Sequence, residues 1–144
     1  MNEYVLSDIQ IGMKEAFQRQ ITLEMENMFR EISGDENPLH KDDEFAREIG
    51  EGRFHGHVAF GMLTASMYST LVGMYLPGKY SVIHSFDELS FLKPVYAGDM
   101  LTVIGEVADK DEALGLVRLK AIIRNQESKV VSKAKIKVLI MKER

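Results

Sequence analysis

Hydrophobic residues recur with a helical period in the first half of the 144-residue chain and alternate with polar residues in the second half. The longest uncharged stretch runs from Gly56 to Leu76 and stops at Pro77-Gly78. A helix that is apolar on nearly every side belongs at the centre of a fold, so this stretch predicts a buried central helix. Several hydroxyl residues interrupt the stretch, which therefore lacks the unbroken apolar run of a membrane span.

Two shorter helices are predicted before this stretch. The first begins after Thr22 and ends at Gly34, and the second begins after Asp42 or Asp43 and ends at Gly50. Their helical spacing predicts that the following apolar residues face inward: Met25, Met28, Phe29 and Ile32 in the first helix, and Phe45, Ala46 and Ile49 in the second.

Alternation with a period of two predicts the strands of a largely antiparallel sheet. The predicted strands are Lys14–Thr22, Ser81–Phe91, Met100–Asp109, Leu116–Asn125 and Val130–Met141. In the last strand Lys133, Lys135 and Lys137 occupy one face, which we interpret as the solvated side rather than an anion-binding surface. Helices followed by a run of strands predict an α+β fold in which one domain, residues 1–144, contains about five strands and one long central helix.

Composition excludes several classes of function. The chain has no cysteine, which excludes disulfides, thiolate nucleophiles and cysteine-based zinc sites. A net charge of −4 does not favour a nucleic-acid surface. The first residues show neither a basic region nor an apolar run, so we expect no signal peptide and a soluble cytoplasmic protein that does not enter membranes.

The octet Ser33–His40 has the composition of an ordered loop rather than of a core element. Gly34, Asn37 and Pro38 punctuate it, and the residue before a proline favours an extended backbone. The loop therefore carries Asp35 and His40 on a stiffened backbone. A carboxylate and an imidazole on one loop can hold a water molecule between them and move protons to and from it.

This octet, read as Ser-Gly-Asp-x-Asn-Pro-Leu-His, is followed by Gly-Met-Leu-x-Ala-Ser at Gly61–Ser66 and by the segment Leu89–Asp99. The three blocks, in this order, resemble the MaoC-like dehydratases and more narrowly the (R)-specific enoyl-CoA hydratases. The resemblance runs from about Phe17 to the C-terminus. It implies a hot-dog fold, in which a curved antiparallel sheet wraps around one helix.

The resemblance implies reversible addition of water to a trans-2-enoyl thioester, with no metal or redox cofactor. The expected partner is an acyl-CoA substrate, and the expected assembly is a homodimer or higher homo-oligomer, because the family pairs its sheets edge to edge. The first alternative is dehydration of 3-hydroxyacyl groups on acyl carrier protein. The second is a non-catalytic domain that binds acyl thioesters, against which the presence of both Asp35 and His40 argues.

The resemblance assigns the catalytic roles to Asp35, His40 and Gly61. Asp35 and His40 would hold the catalytic water, and which of them is the base and which the acid stays open. Gly61 would supply a backbone N–H to the oxyanion, because amides at a helix start are unpaired.

Four residues are assigned to substrate binding. Asn37 belongs to the octet, whereas Ala65 and Ser69 share a helical face with Gly61 at i+4 and i+8. Ser69 is favoured over Ser66, which points about 140° away from Gly61. Phe60 stands where the family often has a histidine, so either that histidine is dispensable or the substrate end of this pocket differs.

Each candidate also has a purely structural interpretation. Asp35 can bond to its own loop backbone in an Asx turn, and His40 can be a structural histidine with satisfied hydrogen bonds. Gly61 can be a site of close packing. The pair His55 and His57 suggests a metal site, but no third ligand is evident nearby and we predict none.

Overall fold

A five-stranded antiparallel sheet wraps around one central helix in the computed structural model, which describes residues 1–142. The strands are β1 (Lys14–Gln20), β2 (Ser81–Phe91), β3 (Met100–Asp111), β4 (Leu116–Arg124) and β5 (Val130–Ile140). Their spatial order is β1-β3-β4-β5-β2, so β1 and β2 form the two edges. The predicted strands are confirmed to within two residues at each end, and the arrangement is the hot-dog fold that the sequence resemblance implies.

The helices are α1 (Leu23–Ser33), α2 (Asp43–Gly50) and α3 (Gly61–Thr70), and a π-helical segment, Leu71–Tyr75, continues α3. The central helix therefore begins five residues later than the predicted start at Gly56. The residues before Gly61 use their backbone groups in hydrogen bonds to distant segments, which excludes a helical conformation there. Within residues 1–142, no helix has the length and hydropathy needed to cross a membrane.

The N-caps of the two shorter helices are as predicted, whereas their apolar faces are so only in part: Met25, Phe29 and Ala46 pack inward. Thr22 Oγ1 accepts a hydrogen bond from the Met25 amide, and Gly34 ends α1 with φ at 72°. Met28 and Ile32, predicted to be buried, are instead exposed, as is Ile49 of α2. The inward face of α1 passes through Glu26, which is only 1% exposed, so residues further round the helix face solvent.

Buried contacts fix α3 against the sheet. Tyr68 Oη donates to Ser132 Oγ at 2.8 Å, and Ser132 Oγ donates to the Ser90 carbonyl at 2.9 Å. Burial raises the pKa of Tyr68 to about 12, so its hydroxyl remains a neutral donor. A β-carbon on Gly105 of β3 would lie 2.8 Å from Leu71 Cδ2, so the backbone of β3 approaches the helix at a distance that only glycine allows.

The lysine residues of β5 lie on the outer side of the sheet, as predicted. Lys133 and Lys135 are exposed and Lys137 is half-buried, while their sequence neighbours are largely buried. Lys135 lies 3.5 Å from Glu88 and Lys137 lies 3.4 Å from Asp87, both on β2. Pairing with neighbouring carboxylates is consistent with a solvated face rather than with a concentrated positive surface.

We expect Gly105→Ala to lower the free energy of unfolding by about 1–3 kcal/mol, because the added methyl group overpacks the contact with Leu71. Gly73→Ala is the matched control, since a β-carbon there meets no atom within 4 Å. The control should leave the stability unchanged or raise it by about 0.4–1 kcal/mol. Urea unfolding of both variants measures the difference, and equal stabilities would show that Leu71 moves aside without cost.

Candidate active site

A cleft of about 500 Å³ opens beside the start of α3. Residues from four parts of the chain line it: the turn that ends at His40, the segment before α3, the first turn of α3 and the segment after β2. Its lining consists of His40, Arg53, Phe54, Val58, Ala59, Gly61, Thr64, Phe91, Leu92, Lys93, Pro94 and Val95.

The segment Val58-Ala59 lies between two other backbone segments and joins them. The Val58 amide donates to the Leu39 carbonyl at 3.0 Å, and the Ala59 amide donates to the Val95 carbonyl at 2.7 Å. These hydrogen bonds hold the turn of His40 on one side and the segment after β2 on the other. The cleft is therefore formed by backbone pairing and not by flexible side chains alone.

His40 is half-buried, and its ring is fixed in two ways. Its Nδ1 lies 2.7 Å from the Val58 carbonyl, and its ring stacks on Phe60 with the centroids 4.2 Å apart. Because a carbonyl oxygen only accepts hydrogen bonds, Nδ1 is assigned as the donor, which leaves Nε2 of the neutral ring with a free lone pair. The arrangement presents one proton-accepting nitrogen from a residue that lines the cleft.

Phe60 is 2% exposed and lies behind His40 rather than on the cleft lining. Its ring centroid is 5.1 Å from that of Phe29, and the Arg30 guanidinium carbon is 5.7 Å from the Phe60 centroid. Arg30 also donates to the His40 carbonyl at 3.1 Å. Phe60 thus supports the His40 ring by packing, and as the N-cap of α3 it offers no side-chain acceptor to the first helical amides.

Asp35 and Asn37 lie in the exposed loop between α1 and the turn at His40. Asp35 Oδ1 accepts the Asn37 amide at 3.0 Å, and Asn37 Oδ1 accepts the Leu39 amide at 3.0 Å. Each side chain thereby stabilises its own loop, as the structural interpretation of Asp35 expects. Both residues lie outside the cleft lining, although the same loop leads directly to His40.

Along α3, the cleft contacts Gly61 and Thr64 and not the predicted i+4 and i+8 face. Ala65 is buried at 6% exposure, and Ser69 is exposed outside the cleft lining. A β-carbon on Gly61 would lie 3.3 Å from the Phe91 ring, so this glycine also permits close packing.

The sequence analysis missed Thr64 as a residue of the cleft. Its hydroxyl is buried, and within residues 1–142 it has no hydrogen-bond partner. A threonine among apolar helical residues gives no sequence signal of this kind, because only the packing shows whether its hydroxyl is satisfied.

Comparison with known proteins finds similarity to one family model and to two proteins named as dehydratases. Residues 8–130 match the family model described as "MaoC like domain". The chain is 35% identical over 102 residues to a 3-hydroxybutyryl-CoA dehydratase of Methylorubrum extorquens, covering 71% of this chain and 62% of that protein. It is 36% identical over 103 residues to a mitochondrial 3-hydroxyacyl-[acyl-carrier-protein] dehydratase of Arabidopsis thaliana, covering 72% of this chain and 51% of that protein.

The fold matches solved structures over nearly its whole length. An (R)-hydratase from A. caviae involved in PHA biosynthesis superposes with a TM-score of 0.83 at 31% identity, covering 92% of this chain and 97% of that chain. By contrast, the matched regions span less than two thirds of the two sequence relatives, 62% and 51% of their lengths.

We expect Thr64→Val to raise the free energy of unfolding by about 1 kcal/mol, because it removes a buried hydroxyl that has no partner. Thr64→Ser keeps the hydroxyl and loses a methyl group, so it should lower the stability by about 0.8 kcal/mol. Urea unfolding of both variants distinguishes the two effects. A destabilised valine variant would show that the hydroxyl does have a partner in solution.

Proposed function

The chain belongs to the family of MaoC-like domains, and we propose that it is an (R)-specific hydratase of trans-2-enoyl-CoA thioesters that uses Asp35 and His40. The reaction is reversible, so the same site would dehydrate (R)-3-hydroxyacyl thioesters. Relatives named as dehydratases and an (R)-hydratase support a hydro-lyase.

The geometry of His40 carries the proposal. Its Nδ1 is engaged by the Val58 carbonyl, and its other nitrogen belongs to a ring on the lining of the cleft. A neutral imidazole held in this tautomer can accept a proton from water through Nε2. A histidine that only stabilised the fold would not need to lie on the lining of a cleft.

In the hydration direction, the acid–base pair takes one proton from water as the water oxygen bonds to C3 of the enoyl group. The electrons of the C2–C3 double bond move to C2 and the thioester oxygen, which forms an enolate. A proton from the pair is then delivered to C2, which restores the thioester. Water is added as a proton at C2 and a hydroxyl at C3, so no redox cofactor takes part.

Gly61 is the proposed donor to the thioester oxygen. It is the first residue of α3 and lines the same cleft as His40, and among residues 1–142 no side chain caps this helix end. Unpaired amides and the helix dipole stabilise negative charge that develops at such a position. Ala65 and Ser69 lie outside the lining of this cleft, so their proposed contact with substrate rests on the helical face that they share with Gly61.

Asp35 is proposed as the second member of the pair, on the basis of its place in the octet. Asp35 Oδ1 accepts the loop hydrogen bond, and the side chain is exposed and accessible to water. Asn37 is proposed to contribute to substrate binding through this loop, because its side chain caps the turn that presents His40.

Arg53 and Lys93 suggest the kind of carrier. Both are exposed and both line the cleft in which the thioester is proposed to bind. Phosphate groups of coenzyme A suit such cations. The phosphopantetheine arm of acyl carrier protein offers the same chemistry, and the Arabidopsis relative makes that carrier the second candidate.

We expect Asp35→Asn and His40→Gln each to lower turnover of crotonyl-CoA by about 10²–10⁴-fold, because each removes a titrating group. The double variant should lose little more turnover than the less active single variant, since both groups act on one water. Glu36→Gln is the matched control: it removes the neighbouring exposed carboxylate, which pairs with Lys41, and should retain turnover.

Turnover is measured as the loss of absorbance of crotonyl-CoA, of a longer enoyl-CoA and of crotonyl-acyl carrier protein. Chiral analysis of the product tests for the (R) isomer. Thermal melting shows whether each variant is folded. Near-native turnover in a folded Asp35 or His40 variant would assign that residue a structural role. Turnover with the carrier protein alone would favour the second candidate, and none with any thioester would favour a non-catalytic domain.

We further propose that the protein is a homodimer. β2 is an edge strand, and its residues Val82, Phe86 and Phe91 are 49%, 39% and 49% exposed. An exposed edge with large apolar side chains is a surface that proteins cover by pairing. Sedimentation at micromolar concentration is expected to give twice the mass of the chain, and a fully active monomer would contradict the proposal.

A further inference from the structure

One imidazole outside the proposed acid–base pair lies between two carboxylates. His57 Nδ1 lies 2.6 Å from Asp43 Oδ1, and His57 Nε2 lies 3.1 Å from Glu26 Oε2. The His57 backbone amide also donates to Asp43 Oδ1 at 2.8 Å. These contacts connect α1, α2 and the segment that precedes α3.

The two contacts of the ring define its charge. Ionised carboxylates only accept hydrogen bonds, so both ring nitrogens must carry hydrogen, and the ring is then an imidazolium. Glu26 is 1% exposed, and within residues 1–142 its second oxygen has no hydrogen-bond partner. A buried carboxylate needs a nearby cation, which His57 provides.

The surroundings of His57 raise its affinity for the proton. Partial burial alone lowers the pKa of His57, but hydrogen bonds to Asp43 and then Glu26 outweigh burial and raise the pKa above its usual value. The backbone and then the ring of His57 lower the pKa of Asp43. Arg47 on α2 also lowers the pKa of Asp43, and the neighbouring elements carry Arg30 on α1 and His40 in the turn that contacts Val58.

This ion triad, formed by Glu26, His57 and Asp43, is joined to the proposed catalytic residues by the backbone. Val58 follows His57 directly, and its carbonyl is the group that engages His40 Nδ1. Gly61 begins α3 three residues after Val58. A displacement of His57 would therefore move both the acceptor of His40 and the proposed oxyanion donor.

We propose that His57, held between Glu26 and Asp43, is a positioning residue that fixes His40 and Gly61 in the geometry needed for hydration. The inference rests on the proposed function for its catalytic consequence, whereas its structural part concerns the backbone of residues 57–61. Misplacement of reacting groups by about 1 Å can cost about 10²-fold in rate, so the positioning of this segment matters to turnover.

The direction of the pH dependence follows from the raised pKa of His57. The contribution of its proton to stability is fully present below the unfolded pKa of about 6.5 and is lost as the pH rises through the folded pKa. Asp43 acts in the opposite range, since its contribution is lost as the pH falls through its lowered pKa. The triad is therefore complete between the lowered pKa of Asp43 and the raised pKa of His57, and on the alkaline side it weakens through His57.

The test compares His57→Gln and Asp43→Asn with the control His55→Gln. His55 is exposed and stacks on Tyr96, so the control removes a nearby imidazole outside the triad. Asp43 is exposed, so its variant is expected to fold even where His57→Gln does not. We expect His57→Gln to lower kcat about 10- to 100-fold with little change in KM. Asp43→Asn should shift the alkaline loss of kcat to lower pH, and His55→Gln should change neither.

Imidazole NMR provides a readout that does not need turnover. In the wild type, the pKa of His57 should lie above the ordinary histidine value of about 6.5, with hydrogen on both ring nitrogens below that pKa, and Asp43→Asn should lower the pKa of His57. The His40 ring resonances should move in the Asp43 and His57 variants and stay in place in His55→Gln. These signals test the triad even if no thioester is turned over, which would count against the proposed function alone.

Three results would overturn the inference: a His57 whose pKa is not raised above the ordinary value, a folded Asp43→Asn variant in which His57 keeps its pKa, or His40 resonances unmoved in both triad variants. If the wild type is active, wild-type kcat and an unchanged pH profile in folded His57→Gln would overturn the positioning role as well.

Discussion

The backbone pairing of Val58-Ala59 is the constraint on which the candidate site depends. Its two amides bond to carbonyls that lie 19 residues earlier, at Leu39, and 36 residues later, at Val95. Because these amides are used in this way, α3 begins only at Gly61, and this first helical residue lines the cleft. The same segment presents the carbonyl that holds His40, so one short extended stretch sets both the helix start and the orientation of the imidazole.

Local signals were sufficient for most of the fold. Alternation gave the strands to within two residues, and the capping residue Thr22 and the glycine at position 34 gave the ends of α1. The start of α3 was missed because residues 56–60 carry no charge and continue the apolar stretch, while their backbone partners are remote in the sequence. Likewise, period alone did not show which side of α1 faces inward, and Met28 and Ile32 are exposed.

In the candidate site, too, a contiguous motif could be identified from the sequence, whereas contacts between distant residues could not. The octet motif indicated His40, which lies on the cleft lining, because the whole motif is contiguous in the sequence. The Glu26–His57–Asp43 arrangement gave no such signal: its members are separated by 31 and 14 residues. A glutamate in the first turn of a helix is usually explained by the helix dipole, yet Glu26 is buried against an imidazole. Only the tertiary structure distinguishes these two situations.

The acceptor that fixes the His40 tautomer is a main-chain carbonyl, which has a consequence for how this protein can change. Every amino acid at position 58 supplies the same oxygen, so the side chain there is free to vary without altering the chemistry of the imidazole. Val58 also lines the cleft, and its side chain is therefore available to adjust the shape offered to a ligand. The orientation of the imidazole and the shape of the cleft are thus separable at a single residue, and selection can alter the second while it preserves the first.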